Sequence, residues 1–440
     1  MIFYYNCINM DTCSGSCYYF INVYHNMNMS HFSVLTDIRK VVFAVVDLGS
    51  TKVVCLIVKV FGGNAPEIIG VGYKAAEGIN GGTITDIESA SRSILSCIKS
   101  AKQMTQETVT KVYVNISGCD IHSTNMINEI DSTIHEISDS DIKKIMLQTY
   151  EKCHEDQVVI HNIPVLYHLD GLNNITELKG LYGSKLKANV HVVSASKFAL
   201  LNIENCITYC NFSLIGCVAE SYASGLACIT DDEKELGAMI IDIGGRYTSI
   251  GIFNKGKFVY ADVVPLGGIH ITNDIAYGLC VNAKDAERIK VLYGDAMLIP
   301  SDKDGVVEAD VGNDEVISVL RSDLVKIIKP RVEEIFEIVS DRIGKQKNLI
   351  NKVIITGGSS QLSNIKEVAG SILKKQVRIG LPVKLKGIQE NNSNPIFSAA
   401  IGAIILITNT LCTNTNKKAT THRKDNVLKK LLKLIPVKAD

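Results

Sequence analysis

At 440 residues the chain is longer than one hydrophobic core supports, so two or more domains are expected. Lys plus Arg and Asp plus Glu number 46 each, which removes any net field favouring nucleic acid, and none is expected as a partner. Thirteen cysteines, odd in number and several set in apolar runs (Cys55, Cys217, Cys228), exclude a disulfide frame and read as reduced thiols of a cytosolic protein. The Cys13-x3-Cys17 and Cys206-x3-Cys210 spacings lack partner pairs for zinc. No run approaches the ~20 apolar residues of a spanning helix.

Residues 1–40 are rich in Tyr, Asn, Cys and Met, without a sustained period or the apolar core of a signal peptide. Met27 and Met29 shortly precede the first convincing strand, so this extension is read as a start-site artefact. Val41 to Val60, VVFAVVDLGSTKVVCLIVKV, is an apolar run ending at Asp47, then Gly49 and Ser50, then a second apolar run. Glycines let backbone N–H groups approach an anion, and the acid can hold a divalent cation through water. Glu67 to Tyr73 reads as a strand, and Ile87 to Met104 as a helix with Glu88 early and Lys99 and Lys102 late. A separate small unit follows over 109–187: strand Val112 to Ile116, capped helix Ser138 to Cys153, strand Val158 to Leu169, closed by an extended run from Ala188 to Ala195.

Lys197 to Cys210 is predicted helical, Ser213 to Ala219 a strand, and Glu220 opens the next helix. Two readings of Glu220 are open: a carboxylate orienting water on a γ-phosphate, or an acid serving the helix dipole. The organising stretch is Gly237 to Phe253, GAMIIDIGGRYTSIGIF, which repeats the strand–acid–glycine–strand pattern at Asp242, Gly244 and Gly245. Two such copies imply an internal duplication with two phosphate loops facing one cleft. A third glycine element, VIITGGSSQL, places Gly357 and Gly358 between a strand and a helix, an arrangement suited to the sugar or base of a nucleotide. Glu287, Arg288 and Lys290, taken as residues alone, read as a solvated helix face. Ser301 to Asp314 reads as a loop or edge hairpin, and Glu315 to Gln346 as a long helix kinked or divided at Pro330. Gln361 to Lys374 and Ile396 to Thr408 are the last core helices expected.

The tail changes character. Thr410 to Thr421 lacks apolar periodicity and reads as a flexible linker. Asp425 to Lys438 then places Val427, Leu428, Leu431, Leu432 and Ile435 on one helical face, with Lys429, Lys430 and Lys433 on the rest. Eight basic and two acidic residues from Lys417 to Asp440 give this end a charge of +6. A tethered basic amphipathic helix suits a membrane surface or a partner groove, with docking on its own domain as the plainer alternative.

With these pieces placed, the chain resembles the bacterial FtsA cell-division family of the actin/Hsp70/sugar-kinase ATPase superfamily. The resemblance runs from about Val41 to Ala403 and resumes at the terminal helix. It rests on Asp47-Leu48-Gly49-Ser50-Thr51-Lys52, Ile68 to Gly72, Glu220 to Gly225, Glu235 to Gly237 and Asp242-Ile243-Gly244-Gly245. Val264 to Gly268, Thr272 to Ala276, Ala286 to Arg288, Lys290, Tyr293-Gly294, Lys329 to Glu334 and Thr356-Gly357-Gly358 complete it.

That resemblance implies an α/β, actin-like two-lobed ATPase fold, with ATP and Mg²⁺ between the lobes, a small inserted α+β subdomain and a C-terminal amphipathic helix. The expected units are lobe 1 over 41–108, 188–219 and 361–409, the insertion over 109–187, lobe 2 over 220–360, a linker over 410–424 and the membrane-targeting helix over 425–438. It places Asp47, Gly49, Ser50 and Lys52 at the first phosphate loop and Asp242, Gly244 and Gly245 at the second. Glu220 and Asp242 fall at catalytic positions, Glu287 and Lys290 at ribose and adenine contacts, and Gly357 and Gly358 at the adenosine motif. Asp47 and Asp242 would hold Mg²⁺ through water. Implied partners are the C-terminal tail of FtsZ, met by Arg331, further copies of the chain in filaments, later division proteins and anionic inner-membrane lipids. The implied location is the cytoplasmic face of the inner membrane at the division site, where the chain would tether FtsZ filaments and help assemble the septal ring.

One departure stands out: Arg246 and Tyr247 replace the third Gly and first Thr of the usual Asp-x-Gly-Gly-Gly-Thr-Thr loop. A bulky residue there restricts the N–H groups, or Arg246 adds a charge to the phosphates. The expectation is ATP binding with weak or absent hydrolysis. The alternative is a soluble sugar-kinase- or Hsp70-like ATPase. A sugar kinase would need a carboxylate base beside a substrate pocket, and none is evident apart from the Mg²⁺-type acids.

Overall fold

The structure, a computed structural model, describes residues 40–62, 64–118, 120–298, 305–310, 316–387 and 394–411. The extension over 1–39 and the predicted helix over 425–438 lie outside the described residues, as does the linker beyond 411.

The first apolar run forms β1 (Val41–Leu48), and its return forms β2 (Lys52–Val60), antiparallel to β1 from Val41 opposite Val60 to Leu48 opposite Val53. Both strands are buried almost throughout, as a sheet covered on both faces requires. β3 (Glu67–Ala75) continues the meander, and a two-residue hairpin, β4 (Ile79–Asn80) and β5 (Thr83–Ile84), leads to α1 (Ile87–Lys102). The Asp86 side chain caps α1 by accepting from the backbone N–H groups of Glu88 and Ser89. Ala90, Ile94, Cys97, Ile98 and Ala101 form the stripe it lays on the sheet. β6 (Lys111–Ile116) then runs parallel to β1.

The insertion is an antiparallel sheet in the order β7-β10-β8-β9, built from β7 (His122–Glu136), β8 (Gln157–Leu169), β9 (Leu172–Ile175) and β10 (Tyr182–Ser196). Its helix α2 (Asp139–Glu151) has the predicted Ser138 cap, with Asp141 accepting from the Ser138 backbone N–H. The limits read from sequence are corrected at both ends. Lys111–Ile116 hydrogen-bonds to β1 and belongs to lobe 1, and residues 188–196 stay in the insertion because β10 runs on to Ser196 between β7 and β8.

After α3 (Lys197–Tyr209), β11 (Ser213–Ala219) pairs parallel with β6 and completes the lobe 1 sheet, β11-β6-β1-β2-β3. Helices α4 (Glu220–Cys228) and α5 (Asp231–Leu236) lead to lobe 2. There β12 (Ala238–Ile243), β13 (Thr248–Asn254) and β14 (Lys257–Val264) form an antiparallel meander. α6 (Gly268–Leu279), α7 (Ala283–Tyr293), the hairpin β15 (Val306–Asp310) with β16 (Val316–Leu320), and α8 (Arg321–Ile343) follow. β17 (Lys352–Thr356), α9 (Ile365–Leu373) and β18 (Gln376–Ile379) add two parallel strands, giving the order β14-β13-β12-β17-β18. Strand for strand this repeats lobe 1, so the duplicated motifs reflect duplicated sheets.

Two further expectations are corrected. The long helix begins at Arg321 because Val316–Leu320 pairs with Val306–Asp310, and of the two expectations at Pro330 the division is ruled out, because Pro330 lies within one continuous helix. Residues 361–379 belong to lobe 2 rather than lobe 1, since β18 extends its sheet and Ile365, Val368 and Leu373 pack in its core, while Lys386 returns to lobe 1 and pairs with Glu67 at β3. A final helix, α10 (398–411), lies between the lobes. Its Ala400, Ile401 and Ile404 and the Ala223 and Ala227 of α4 share one core with Phe43, Val45 and Leu56 of lobe 1 and Ile240, Phe253 and Ile354 of lobe 2.

Candidate functional site: an interlobe acid cluster

Ligand sites of open α/β sheets lie beyond the carboxyl ends of their strands. Asp47 and Asp242 sit at matching positions near those ends, on β1 and β12. Asn115 is near the end of β6, Glu220 follows β11, and Gly357 follows β17. Five strand ends thus bring one polar cluster to the cleft between the lobes.

Each acid has a dedicated partner. Asn115 Nδ2 donates to Asp47 Oδ1 at 2.8 Å, Ser224 Oγ donates to Asp242 Oδ2, and Ser249 Oγ donates to Glu220 Oε2. Burial pushes the Asp47 carboxyl up, against the pull of Asn115 and Lys52. Burial also pushes Asp242 up, to about 7, with Asp47 adding to the rise and the Ser224 hydrogen bond and Lys52 opposing it. Glu220 is raised well above the carboxylate range, first by burial and then by the charges of Asp242 and Asp47. Lys52 is the cation among them. Burial lowers its pKa, while Asp47, Asp242 and Glu287 hold it up. Its ammonium reaches lobe 2, where a Cβ placed on Gly358 would lie 3.8 Å from Lys52 Nζ.

The glycines fit this geometry. Gly357 has φ +88°, and a Cβ there would meet Asp242 Oδ1 at 2.2 Å, so only glycine lets β17 turn beneath that acid. The two hairpins touch: a Cβ on Gly245 would lie 2.8 Å from Thr51 Cγ2 and 3.6 Å from Ser50 Cβ. A Cβ on Gly49 would press on the Lys52 carbonyl oxygen at 2.6 Å within its own turn. The second turn is closed by Gly244 N–H donating to Tyr247 O at 2.9 Å. Neither Arg246 nor Tyr247 takes a positive φ, so this turn accepts both without the strain that a left-handed position would impose.

Glu287 and Lys290 lie on α7 beside the start of α6. Lys290 Nζ is 2.6 Å from Glu287 Oε2, and it donates to Gly268 O at 3.0 Å and to Thr272 Oγ1 at 2.8 Å. They are therefore more than a solvated face. Ser359 Oγ donates to Gly244 O at 3.2 Å and links the third glycine element to the second hairpin. Arg331 stands outside the acid cluster, on α8. It forms a fork to Asp274 of α6 (Nε–Oδ2 2.6 Å, Nη2–Oδ1 3.0 Å) and also bonds Glu334.

Sequence reasoning missed Asn115, Ser224, Ser249 and Thr272. It also missed the reach of the insertion into the site. His161 Nε2 on β8 accepts from the backbone N–H of Ala219 at 2.9 Å, one residue before Glu220. His191 Nδ1 on β10 bonds Phe258 O at 2.9 Å, and Ser123 Oγ bonds both His191 Nε2 and the Ala261 N–H. Burial holds both histidines neutral, with pKa values pushed down to about 3 for His161 and about 4 for His191.

Among the described residues no group of three or more His, Cys, Asp or Glu is arranged to hold a metal by itself, and no helix is long and apolar enough to cross a membrane. Among solved structures, the chain is similar to the PilM-PilN type IV pilus biogenesis complex, with 14% identity and a TM-score of 0.60 over 82% of this chain and 96% of that one. It is also similar to MreB5 of Spiroplasma citri bound to ADP, with 14% identity and a TM-score of 0.53 over 86% of this chain and 98% of that one. The fold is thus the actin-like, two-lobed α/β fold with an inserted subdomain. A family profile described as cell division protein FtsA matches residues 239–402, and one described as the SHS2 domain inserted in FTSA matches 118–194. Cell division protein FtsA of Agrobacterium fabrum is 35% identical over 399 residues, covering 86% of this chain and 90% of that protein. The protein of that name from Escherichia coli K12 is 29% identical over 378 residues, 83% and 90% of the two chains. By sequence along most of its length, and by its inserted subdomain, the chain belongs to the FtsA family of bacterial cell-division proteins.

Proposed function

We propose that the chain binds ATP with Mg²⁺ in the interlobe cleft and, in that state, couples FtsZ filaments to the inner membrane at the division site. The observation that carries this reading is the convergence of two hairpins on one lysine, with Lys52 set among Asp47, Asp242 and Glu287. The donor set suits a triphosphate with a divalent cation. Asp47, Asp242 and Glu220 crowd negative charge that a cation relieves, and Asn115 Oδ1 is buried without a hydrogen-bond partner beside Asp47. Asp47 and Asp242 would hold the ion through water, and Mg²⁺ would supply charge neutralisation to the phosphates. Lys52 and the backbone at Gly49, Ser50, Gly244 and Gly245 would bind phosphate, with Gly357, Gly358, Glu287 and Lys290 toward the nucleoside. Ser249 already donates to the Glu220 carboxyl and occupies the oxygen that would orient water, which supports slow or absent hydrolysis.

Arg331 would meet the acidic tail of FtsZ by exchanging its fork to Asp274 for a tail carboxylate. Residues 425–438 would lie in the membrane surface, where each lysine near anionic lipid adds roughly 1 kcal/mol. The chain would also assemble with copies of itself and recruit later division proteins. Two measurements test the reading. By calorimetry, ATP with Mg²⁺ binds the intact chain, and Asp242→Ala abolishes the heat; unchanged affinity sinks the cleft assignment. In sedimentation with anionic vesicles, the chain carries FtsZ into the pellet. Leu431→Glu leaves both proteins in solution, whereas Arg331→Ala pellets without FtsZ. Pelleting by the Leu431→Glu variant places the anchor elsewhere.

A further inference from the structure

Tyr247 is the largest side chain on either hairpin turn, and it crosses the cleft. A Cβ on Gly81, in the β4–β5 turn of lobe 1, would lie 1.9 Å from Tyr247 Cε2, 2.8 Å from Cζ and 2.9 Å from Cδ2. One on Gly118, just past β6, would lie 3.1 Å from Cε2. The ring edge of lobe 2 therefore rests directly on lobe 1 backbone. That floor is built for it. Gly81, Gly82 and Gly118 take φ values of +61°, +71° and +69°, and a Cβ on Gly82 or Gly118 would strike the carbonyl oxygen of Ser117 or Gly81.

Two features make this contact a clasp rather than ordinary packing. The Tyr247 carbonyl closes the turn that presents Gly244 and Gly245, so the ring and the anion-facing backbone move together. Beside the floor, Tyr247 and Gly118 line an open pocket of about 440 Å³ with Asp120, His122, Tyr260 and Arg342, which leaves the ring room to swing out when the lobes part.

We propose that Tyr247 is a positioning residue for the nucleotide: docked on the Gly81–Gly118 floor, it holds the second phosphate hairpin against lobe 1 and slows nucleotide release. This rests on the reading of the cleft as a nucleotide site. Contact with the ring edge carries the effect, so Tyr247→Phe keeps it. Tyr247→Thr removes the ring, and Gly81→Ala denies it the floor.

The test is displacement of a fluorescent ATP analogue from the full chain by excess ATP, followed by stopped flow. Tyr247→Thr and Gly81→Ala are each expected to speed release by about tenfold, a difference of ~1.4 kcal/mol, with little change in the association rate. The double variant should release no faster than Tyr247→Thr alone, because an added methyl has no ring to displace. Tyr247→Phe should match the parent. Release unaltered in Tyr247→Thr, or multiplied effects in the double variant, overturns the proposal. If Gly81→Ala does not fold, the Phe and Thr pair still decides. Amide hydrogen exchange over residues 79–84 without nucleotide separates the two ideas. Faster exchange there in Tyr247→Thr supports the clasp even where the analogue fails to bind the parent, and unchanged exchange counts against it.

Discussion

The two Asp-x-Gly hairpins occupy matching places in matching sheets and yet carry different chemistry. In the first, Asp47 keeps part of its surface open to the cleft, leans on the amide of Asn115 and is followed by Lys52, which reaches Gly358 of the other lobe. In the second, Asp242 is sealed against Ser224 with its pKa pushed up to about 7, and the turn brings an arginine and an aromatic ring. Duplication supplied the frame twice, whereas the lysine set among the acids came with one copy only. The first hairpin therefore contributes charge, and the second contributes a titrating acid and an interlobe contact.

The largest test of that division is removal of the cation. Lys52→Ala leaves Asp47, Asp242 and Glu220 facing one another without a positive charge among them. Truncating one partner of a desolvated charge pair typically costs about 2–5 kcal/mol of binding, so ATP affinity by calorimetry should fall by roughly thirtyfold or more. If instead the loss is only a few-fold, Lys52 is not the charge centre and the contrast between the hairpins fails.

Much of this contrast is legible in the sequence. Asp47, Asp242 and Gly357 each stand where an apolar run meets glycine, a pattern that an ordinary hairpin turn also produces and that only the three together make specific. Their partners were not legible, because Asn115, Ser224 and Ser249 are ordinary residues in a strand or helix until the sheets close around the cleft. β7 escaped for a related reason: it is an edge strand with only Asn128 and Ile130 buried, so its sequence lacks the alternation that marks a half-buried strand. Val316–Leu320 looked like the first turns of a helix, because nothing local announces a pairing with Val306–Asp310. The same lack of a local signal moved lobe 2 past its predicted end, since Gln376–Ile379 becomes a strand only beside β17.

A second test uses proton uptake. Asp242 ordinarily titrates near 3.8, and in the fold its pKa is raised to about 7 by burial, so the native state binds the proton more tightly than the unfolded chain. The stability this contributes is fully present below pH 3.8 and is lost as pH rises through about 7. Without nucleotide, Asp242 should therefore account for about 2–3 kcal/mol of the stability lost between pH 5 and pH 8, read from urea midpoints, with Glu220 adding a loss of the same sign. Asp242→Asn keeps the shape without the charge and should flatten that slope. Asp47→Asn should flatten it less, because Asp47 is partly open to the cleft and already bonded by an amide. Equal flattening by both would make the two hairpins electrostatically alike.

The smallest expected effect concerns Arg246, the residue that departs most from a glycine-rich phosphate turn. Its backbone is not left-handed, so replacing it with glycine relieves no strain, and it has neither an ion pair nor a hydrogen bond among the described residues. Any gain from Arg246 must then come from a ligand. A guanidinium partly in contact with water is worth about 1 kcal/mol against an anion, below a lysine held among Asp47, Asp242 and Glu287. Arg246→Gly should accordingly weaken ATP about three- to tenfold and ADP less, since the charge difference between them lies in the terminal phosphate. The loss should shrink at high salt, where a partly exposed cation is screened, while the Lys52→Ala loss persists. Calorimetry of both nucleotides at low and high salt gives the answer. An Arg246→Gly loss that equals that of Lys52→Ala, or that ignores salt, would mean that the two hairpins hold equivalent cations.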